Sequence, residues 1–320
     1  NPPVHGHQPC SLPTNMTSPR LSIVTPSYNQ AEFIADTLES VRNQVEVDIE
    51  HLVLDGGSTD GTRSILEDHE TAVENLDSYQ LTWTSEPDEG QSEAINKGFE
   101  RVTGDVVAWL NSDDVYFDVN TLSRVAGYFE RYDDDVIYGD LARINRDSVV
   151  TAVDPRPRFD RSKLPYRILL GQPATFFRRR VVDAEKLDTE LDYGMDYEYW
   201  LRLAEQFSFR YVPDLLAGFR SYPTQKSRDQ TAMAAELESI LTEYADYTRG
   251  SGAVIFDNLS AEVRRLVRGV KLTYELHRTP PELAFDGELA SLPVMVRNLG
   301  PETDDVRKAW RRWRSGGASG

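Results

Sequence analysis

An α/β fold, with a mostly parallel open sheet and helices on both faces, follows from three features of the chain. Short apolar runs recur at residues 21–26, 49–54, 81–84, 106–110 and 136–138. Segments with helical periodicity stand between them, which is the alternation of a doubly covered sheet. Two of the runs stop abruptly at acidic and small polar residues, in Asp55-Gly56-Gly57-Ser58-Thr59-Asp60-Gly61-Thr62 and Trp109-Leu110-Asn111-Ser112-Asp113-Asp114. In an open α/β sheet, ligands bind at the C-terminal strand ends.

Taken in order, residues 21–26 form a buried strand that Pro26 closes. The spacing predicts a helix over 31–44, with Phe33, Ile34, Leu38 and Val41 on one face. After the strand 49–54, Asp60 is placed to cap a helix running through Ile65 and Leu66. Strand 81–84 leads to a helix over 92–102 with Ser92 as its expected cap, and strand 106–110 to a helix over 119–131. The second half is less regular. A hairpin is expected over 141–153 around Asn145-Arg146-Asp147, a short strand over 174–177, a helix over 196–205 and a strand over 209–212. From about residue 230 the pattern turns helical, over 231–247 and 260–276, until Pro280-Pro281 breaks it. A basic stretch over 306–314 precedes a Gly/Ser tail expected to be disordered, and there is no internal repeat.

The 320 residues allow one large domain plus an extension. An apolar share of 39% with no run near the ~20 residues of a bilayer span describes a soluble protein. The first residues lack the layout of a signal peptide. Met16 reads as a natural start, so residues 1–15 are expected to be leader or cloning-derived sequence. The only cysteine, Cys10, excludes an intrachain disulfide and fits a reducing cytoplasm. A net charge of -18 argues against free nucleic acid as a partner. Its dispersed acids, and a basic complement that is mostly Arg, would suit high salt.

Carboxylates at the strand ends suit a hard divalent cation, and such a cation suits a diphosphate. The chain therefore reads as built to hold a nucleoside diphosphate through a metal. Four motifs sharpen this: Thr25-Pro26-Ser27-Tyr28-Asn29, the Asp55–Thr62 segment, Asn111-Ser112-Asp113-Asp114, and Met195-Asp196-Tyr197-Glu198-Tyr199-Trp200-Leu201-Arg202. They occur in the order expected of family 2 glycosyltransferases, inverting enzymes of the GT-A fold, and residues 21–222 resemble that family. The resemblance implies a GT-A domain over 16–225. Its nucleotide-binding half would span about 20–115 and its acceptor half about 116–225. A helical extension with a flexible tail would occupy 226–320.

What the resemblance implies for single residues can be set beside plainer readings. Thr25, Pro26, Tyr28 and Asn29 would wall the nucleotide pocket, with Tyr28 stacking on a base, where the plainer reading is a Pro-terminated strand and turn. Asp55 would accept a hydrogen bond from base or ribose, and Gly56 would keep side chains clear of the nucleotide. Asp88 would face the ribose, and Asn96 and Lys97 would border the donor, Lys97 neutralising phosphate charge. Asn111 and Ser112 would line the donor site, Asn111 standing where the family has the first acid of its metal motif. Asp113 would bind Mn²⁺ or Mg²⁺, mainly with the donor present. Asp196 would be the general base, with Glu198 the runner-up; a helix-capping role for Asp196 is compatible with this. Gln172, Glu198 and Trp200 would lie on the acceptor side. Phe176 and Phe177 read as core, and Arg178, Arg179 and Arg180 as a solvated run.

The implied reaction moves a sugar from a nucleoside-diphosphate donor to a hydroxyl of a glycan or lipid-linked acceptor, by a single inverting displacement. The cytoplasm is the expected location. The helix 260–276 sets Val263, Leu266, Val267 and Val270 against Arg264, Arg265, Arg268 and Lys271. It reads first as a helix packed on the catalytic domain. The competing reading, joined by Trp310 to Arg314, is peripheral contact with the inner face of an anionic membrane. Two other functions share parts of the pattern. A nucleotidyltransferase would show a Gly-rich basic loop after the first strand, which is absent. A non-catalytic sugar-nucleotide-binding protein is favoured by Asn111 and opposed by Asp113 and Asp196. A dinucleotide-dependent oxidoreductase is opposed by the lack of Gly-x-Gly-x-x-Gly after the first strand.

Overall fold

Nine strands form one sheet among the residues that the computed structural model describes, 18–166, 168–223, 225–226 and 230–244. β1 (Leu21–Ser27) is buried at every position, as a strand covered on both faces must be. It pairs in parallel with β2 (Ile49–Asp55) and β4 (Val106–Trp109), and β2 pairs in parallel with β3 (Tyr79–Ser85). The register aligns Ser27 with Asp55 and Asp55 with Ser85, so the strand ends share one edge.

The second half is mixed. β5 (Val115–Tyr116), β6 (Val136–Ile144), β7 (Val150–Asp154), β8 (Thr175–Arg178) and β9 (Phe209–Arg220) extend the sheet in the order β3-β2-β1-β4-β8-β6-β9-β5, with β7 paired to β6. β8 runs antiparallel to both β4 and β6, while β9 runs parallel to β6. The expected hairpin is present as β6 and β7. The strand expected over 209–212 continues to Arg220, because the chain absorbs Pro213 in a register shift opposite Tyr138 and Asp140.

Alternation along β1 and β4 divides the core. Val24, Val107 and Trp109 face a cluster with α3 (Gln91–Phe99) and α6 (Met195–Leu203). Leu21, Ile23, Val106 and Ala108 face the opposite layer, with Val41 of α1 (Ile34–Arg42) and Leu122 and Val125 of α4 (Thr121–Arg131). α2 (Thr62–Val73) places Leu66 against Val53, Ile34 and Leu38. Asp60 accepts from the Thr62 amide at 2.9 Å and so holds the first turn of α2. Ser92 does not cap α3. Gly90 precedes the helix, and Ser92 is buried with its hydroxyl on Met195 Sδ at 2.8 Å. Gly98 lets α3 close on Val24, since a Cβ there would overlap the valine side chain.

A short α5 (Arg179–Ala184) occupies the Arg run, and its arginines are engaged. Arg178 donates to the Phe129 and Tyr132 carbonyls, Arg179 to the Thr103 carbonyl and Arg180 to Asp135. α7 (Gln230–Glu243) packs Ile240 into the same core as α6. No helix among the described residues is long and apolar enough to cross a membrane. The leader 1–15, the helix expected over 260–276 and the basic stretch 306–314 lie outside the described residues.

Candidate active site

The C-terminal ends of β1 and β4 open into a cleft of about 550 Å³. The start of α6, the segment after β9 and α7 complete its walls. Of the residues singled out from sequence, Pro26, Tyr28, Asp88, Asn111, Ser112, Asp113, Gln172 and Asp196 line it together.

The turn after β1 is held by its neighbour loop. The Asn29 amide donates to Ser58 Oγ at 2.7 Å, and Asn29 Oδ1 accepts from the Thr59 amide at 2.9 Å. Asn29 takes φ 52°, a left-handed conformation that Asn tolerates. This leaves Tyr28 projecting at the mouth with 61% of its surface exposed. Thr25 lies deeper. Its hydroxyl meets His51 Nε2 at 2.8 Å, and His51 Nδ1 meets the Tyr79 hydroxyl at 2.7 Å. Burial pushes His51 down to about 3, so this imidazole is neutral and structural.

Asp55 is buried and organises the second loop. It accepts from the Ser58 amide at 2.9 Å, from the Ser58 hydroxyl, and from Ser85 Oγ at 2.6 Å. It does not line the cleft. Gly56 makes room for Asp88, whose Oδ2 stands 2.7 Å from where a Cβ would be. Desolvation raises Asp88. Asn96 and Lys97 stand away from the cleft lining. Asn96 brackets Leu187, donating to its carbonyl and accepting from its amide at 2.9 Å each, and Lys97 pairs with Glu93 at 3.1 Å. Both lie on α3, whose side chains there face the neighbouring loop and solvent.

Asn111 turns its oxygen to Gln91, which donates at 2.7 Å. Asp113 is anchored from β9's end, accepting from the Tyr222 hydroxyl at 3.0 Å and from Gln225 Nε2 at 3.5 Å. Desolvation raises its pKa, while Tyr222 and Arg220 oppose the shift. Asp114 points away from the cleft and is fully buried, with Oδ1 accepting from the Arg220 amide at 2.8 Å. Burial and the adjacent Asp113 push it well above the usual carboxylate range. Arg220 is also fully buried. It donates to the carbonyls of Asp113 and Arg146 at 2.7 and 2.8 Å, contacts Asp36 at 3.2 Å, and lies 4.8 Å from the Phe33 ring centre.

Asp196 occupies the second position of α6, after Gly194 and Met195. The Tyr197 amide donates to its Oδ1 at 2.7 Å. Burial pushes its pKa up to about 6, against that hydrogen bond. α6 is fixed by an aromatic stack: Trp200 lies 5.5 Å from Trp109 and 5.6 Å from Phe177, with rings near parallel. Trp200 is therefore core rather than acceptor-side, because its indole is spent in that stack. Glu198 is likewise off the lining, paired through both oxygens to Arg202 at 2.9 Å each. Gln172 does reach the cleft, donating to the Trp109 carbonyl at 2.7 Å and leaving a buried Oε1 with no partner among the described residues.

Sequence reasoning missed Gln91, Asp192, Tyr193, Tyr222, Gln225, Lys226 and Met233, all of which line the cleft. An arginine closing the apolar run Leu215-Leu216-Ala217-Gly218-Phe219 was the one signal available, since such a charge is kept only with buried partners. Among the described residues no three His, Cys, Asp or Glu converge as a ready metal cage. Asp113 nevertheless offers a desolvated carboxylate to the cleft, and a cation would offset that desolvation. A metal fits here if a diphosphate brings further oxygens.

This mixed sheet, with helices on both faces and acids at strand ends beside a cleft, has the GT-A arrangement. Residues 22–186 match the family described as Glycosyl transferase family 2, and the chain belongs to that family. It is 30% identical over 167 residues to a "PGL/p-HBAD biosynthesis glycosyltransferase" of Mycobacterium tuberculosis. That match covers 51% of this chain and 61% of the relative, so the chain spans about three fifths of the relative's length. Among solved structures, residues 1–349 of Staphylococcus aureus TarS in complex with UDP-GlcNAc superpose with a TM-score of 0.55 at 16% identity, covering 93% of this chain and 92% of that one. A mannosyltransferase of Pyrobaculum calidifontis in complex with GDP-Man and Mn²⁺ gives 0.50 at 16% identity, covering 92% and 88%. At these identities the two structures share the fold.

Proposed function

We propose that the chain transfers a sugar from a nucleoside-diphosphate donor to an acceptor hydroxyl with inversion, in the synthesis of a polysaccharide, glycolipid or lipid-linked glycan. The observation that carries this reading is the pairing of Asp113 and Asp196 on one cleft, the first anchored from behind and the second lifted to about 6 by burial. A carboxylate near that value is ionised at neutral pH yet basic enough to accept a proton.

Tyr28 and Pro26 receive the nucleoside at the mouth. Lys226, the cation among the described lining residues, pairs with Asp192 at 3.0 Å and would turn to the diphosphate when the donor binds. Asp113 would hold Mn²⁺ or Mg²⁺ together with donor oxygens, and the ion would supply charge stabilisation to the departing diphosphate. Gln172 lines the acceptor side of the cleft. The acceptor oxygen attacks the anomeric carbon opposite the diphosphate. Its proton passes to Asp196, the new C–O bond forms as the bond to diphosphate breaks, and configuration inverts. The complexes of the two solved neighbours, one with UDP-GlcNAc and one with GDP-Man and Mn²⁺, support a nucleotide-sugar donor and a divalent ion.

The test is a thermal-shift panel of UDP, GDP, dTDP and CMP with and without Mn²⁺, followed by turnover of the matching sugar nucleotides. Asp196→Asn should keep nucleotide-induced stabilisation and lose about 10²–10⁴-fold in kcat. Transfer at the normal rate by that variant would remove Asp196 as the base.

A further inference from the structure

We propose that α7 is a working part of this active site, and that Glu236 is a positioning residue for Asp196; the inference rests on the assignment of Asp196 as base. α7 lies beyond the segment matched by the family, residues 22–186. Glu236 reaches across more than 40 residues of chain to the strip just before α6. Its Oε2 accepts from the Asp192 amide at 2.9 Å, and its Oε1 from the amides of Tyr193 at 2.7 Å and Gly194 at 2.5 Å. α6 has no side-chain cap of its own, because Gly194 stands at the cap position. One distant carboxylate thus satisfies three consecutive N–H groups that lead into the helix carrying Asp196.

The approach is close by design of the sequence. A Cβ on Gly194 would stand 2.7 Å from Ile240 Cδ1 and 3.2 Å from Leu237 Cδ2, both on α7. Asp192, Tyr193 and Asp196 line the cleft, and so does Met233, one turn before Glu236. α7 has a second tether at its other end, where the Tyr244 hydroxyl donates to Glu198 at 3.0 Å. The two tethers differ in kind. Tyr244 holds a side chain of α6, that of Glu198, whereas Glu236 holds the backbone amides that lead into the turn carrying Asp196. Releasing three amides in front of the base lets that backbone drift, and misplacement on the scale of 1 Å costs up to about 10²-fold in rate.

The experiment compares Glu236→Gln, Glu236→Ala and Tyr244→Phe with wild type, using the sugar nucleotide that turns over in the panel above. Glu236→Ala should lower kcat about 10- to 100-fold with the donor KM within about twofold. Glu236→Gln keeps one acceptor oxygen and should recover part of that loss, and Tyr244→Phe should retain the wild-type kcat. Hydrogen exchange should accelerate at the amides of residues 192–194 in both Glu236 variants. In an Asp196→Asn background, Glu236→Ala should add little further loss. The proposal is overturned if Glu236→Ala keeps full kcat, if kcat and donor affinity fall together, or if Tyr244→Phe loses as much as Glu236→Ala. Full activity of Asp196→Asn alone would instead overturn the base assignment, and this inference with it.

Discussion

Asp113 and Asp196 are carboxylates of one cleft, built in opposite ways. Asp113 is anchored by hydroxyl and amide donors from the segment after β9, with the buried Arg220 behind it. Asp196 accepts from its own neighbour's amide and otherwise sits in a desolvated helix start. The donors on Asp113 oppose the rise that burial imposes and hold the group still, which suits an electrostatic role. Sparse hydrogen bonding leaves a carboxylate whose charge is poorly stabilised, which suits proton exchange.

The contrast can be broken at its strongest point first. Arg220→Met removes a fully buried guanidinium, breaking its ion pair with Asp36 and its bonds to the Asp113 and Arg146 carbonyls. A loss of about 3–5 kcal/mol in urea unfolding is expected, together with loss of metal-dependent nucleotide binding. Trp200→Ala should cost a similar ~3–5 kcal/mol by opening the stack under α6. If it left stability intact and impaired only the acceptor KM, Trp200 would belong to the acceptor site after all.

Proton exchange at Asp196 sharpens the comparison through pH. Its folded-state pKa, about 6, lies above the ordinary 3.8, so the fold favours the protonated form. Stability from this group is full below about 3.8 and is lost as pH rises through about 6. Asp196→Asn should therefore raise Tm at pH 8 relative to wild type and change it little at pH 4. The kcat of the wild type should fall on the acid side of about pH 6, and a flat profile there would argue against the base role. The smallest effects are expected at the outlying candidates. Lys97→Met breaks a pair with Glu93 away from the cleft and should leave donor affinity within about twofold and Tm unchanged.

The parallel half was legible because each β-strand there is short, apolar and followed by an amphipathic helix, so period alone separates the elements. Of the residues the sequence reading named, Pro26, Tyr28, Asp88, Asn111, Ser112, Asp113, Gln172 and Asp196 share a cleft, whereas Thr25, Asn29, Asp55, Gly56, Asn96, Lys97, Glu198 and Trp200 are not in its lining. The reading failed where a side chain's role depends on which way its element turns. Asn96 and Lys97 fall on a face of α3 that a motif cannot orient, and Trp200 reads as well for a sugar platform as for a core stack. β9 was cut short at Pro213, since no local rule foretells a strand that runs on through a register shift.

What the chain determined by itself is the alternation of apolar strands and helices and the placing of small and acidic residues where strands end. Both are local, being set by side-chain period and backbone freedom. Tertiary structure alone decided which acids meet, what anchors them, and that a helix beyond residue 226 closes the cleft. Those outcomes depend on contacts between segments far apart in the chain, where burial and hydrogen-bond partners, rather than neighbouring residues, assign each carboxylate its charge and position.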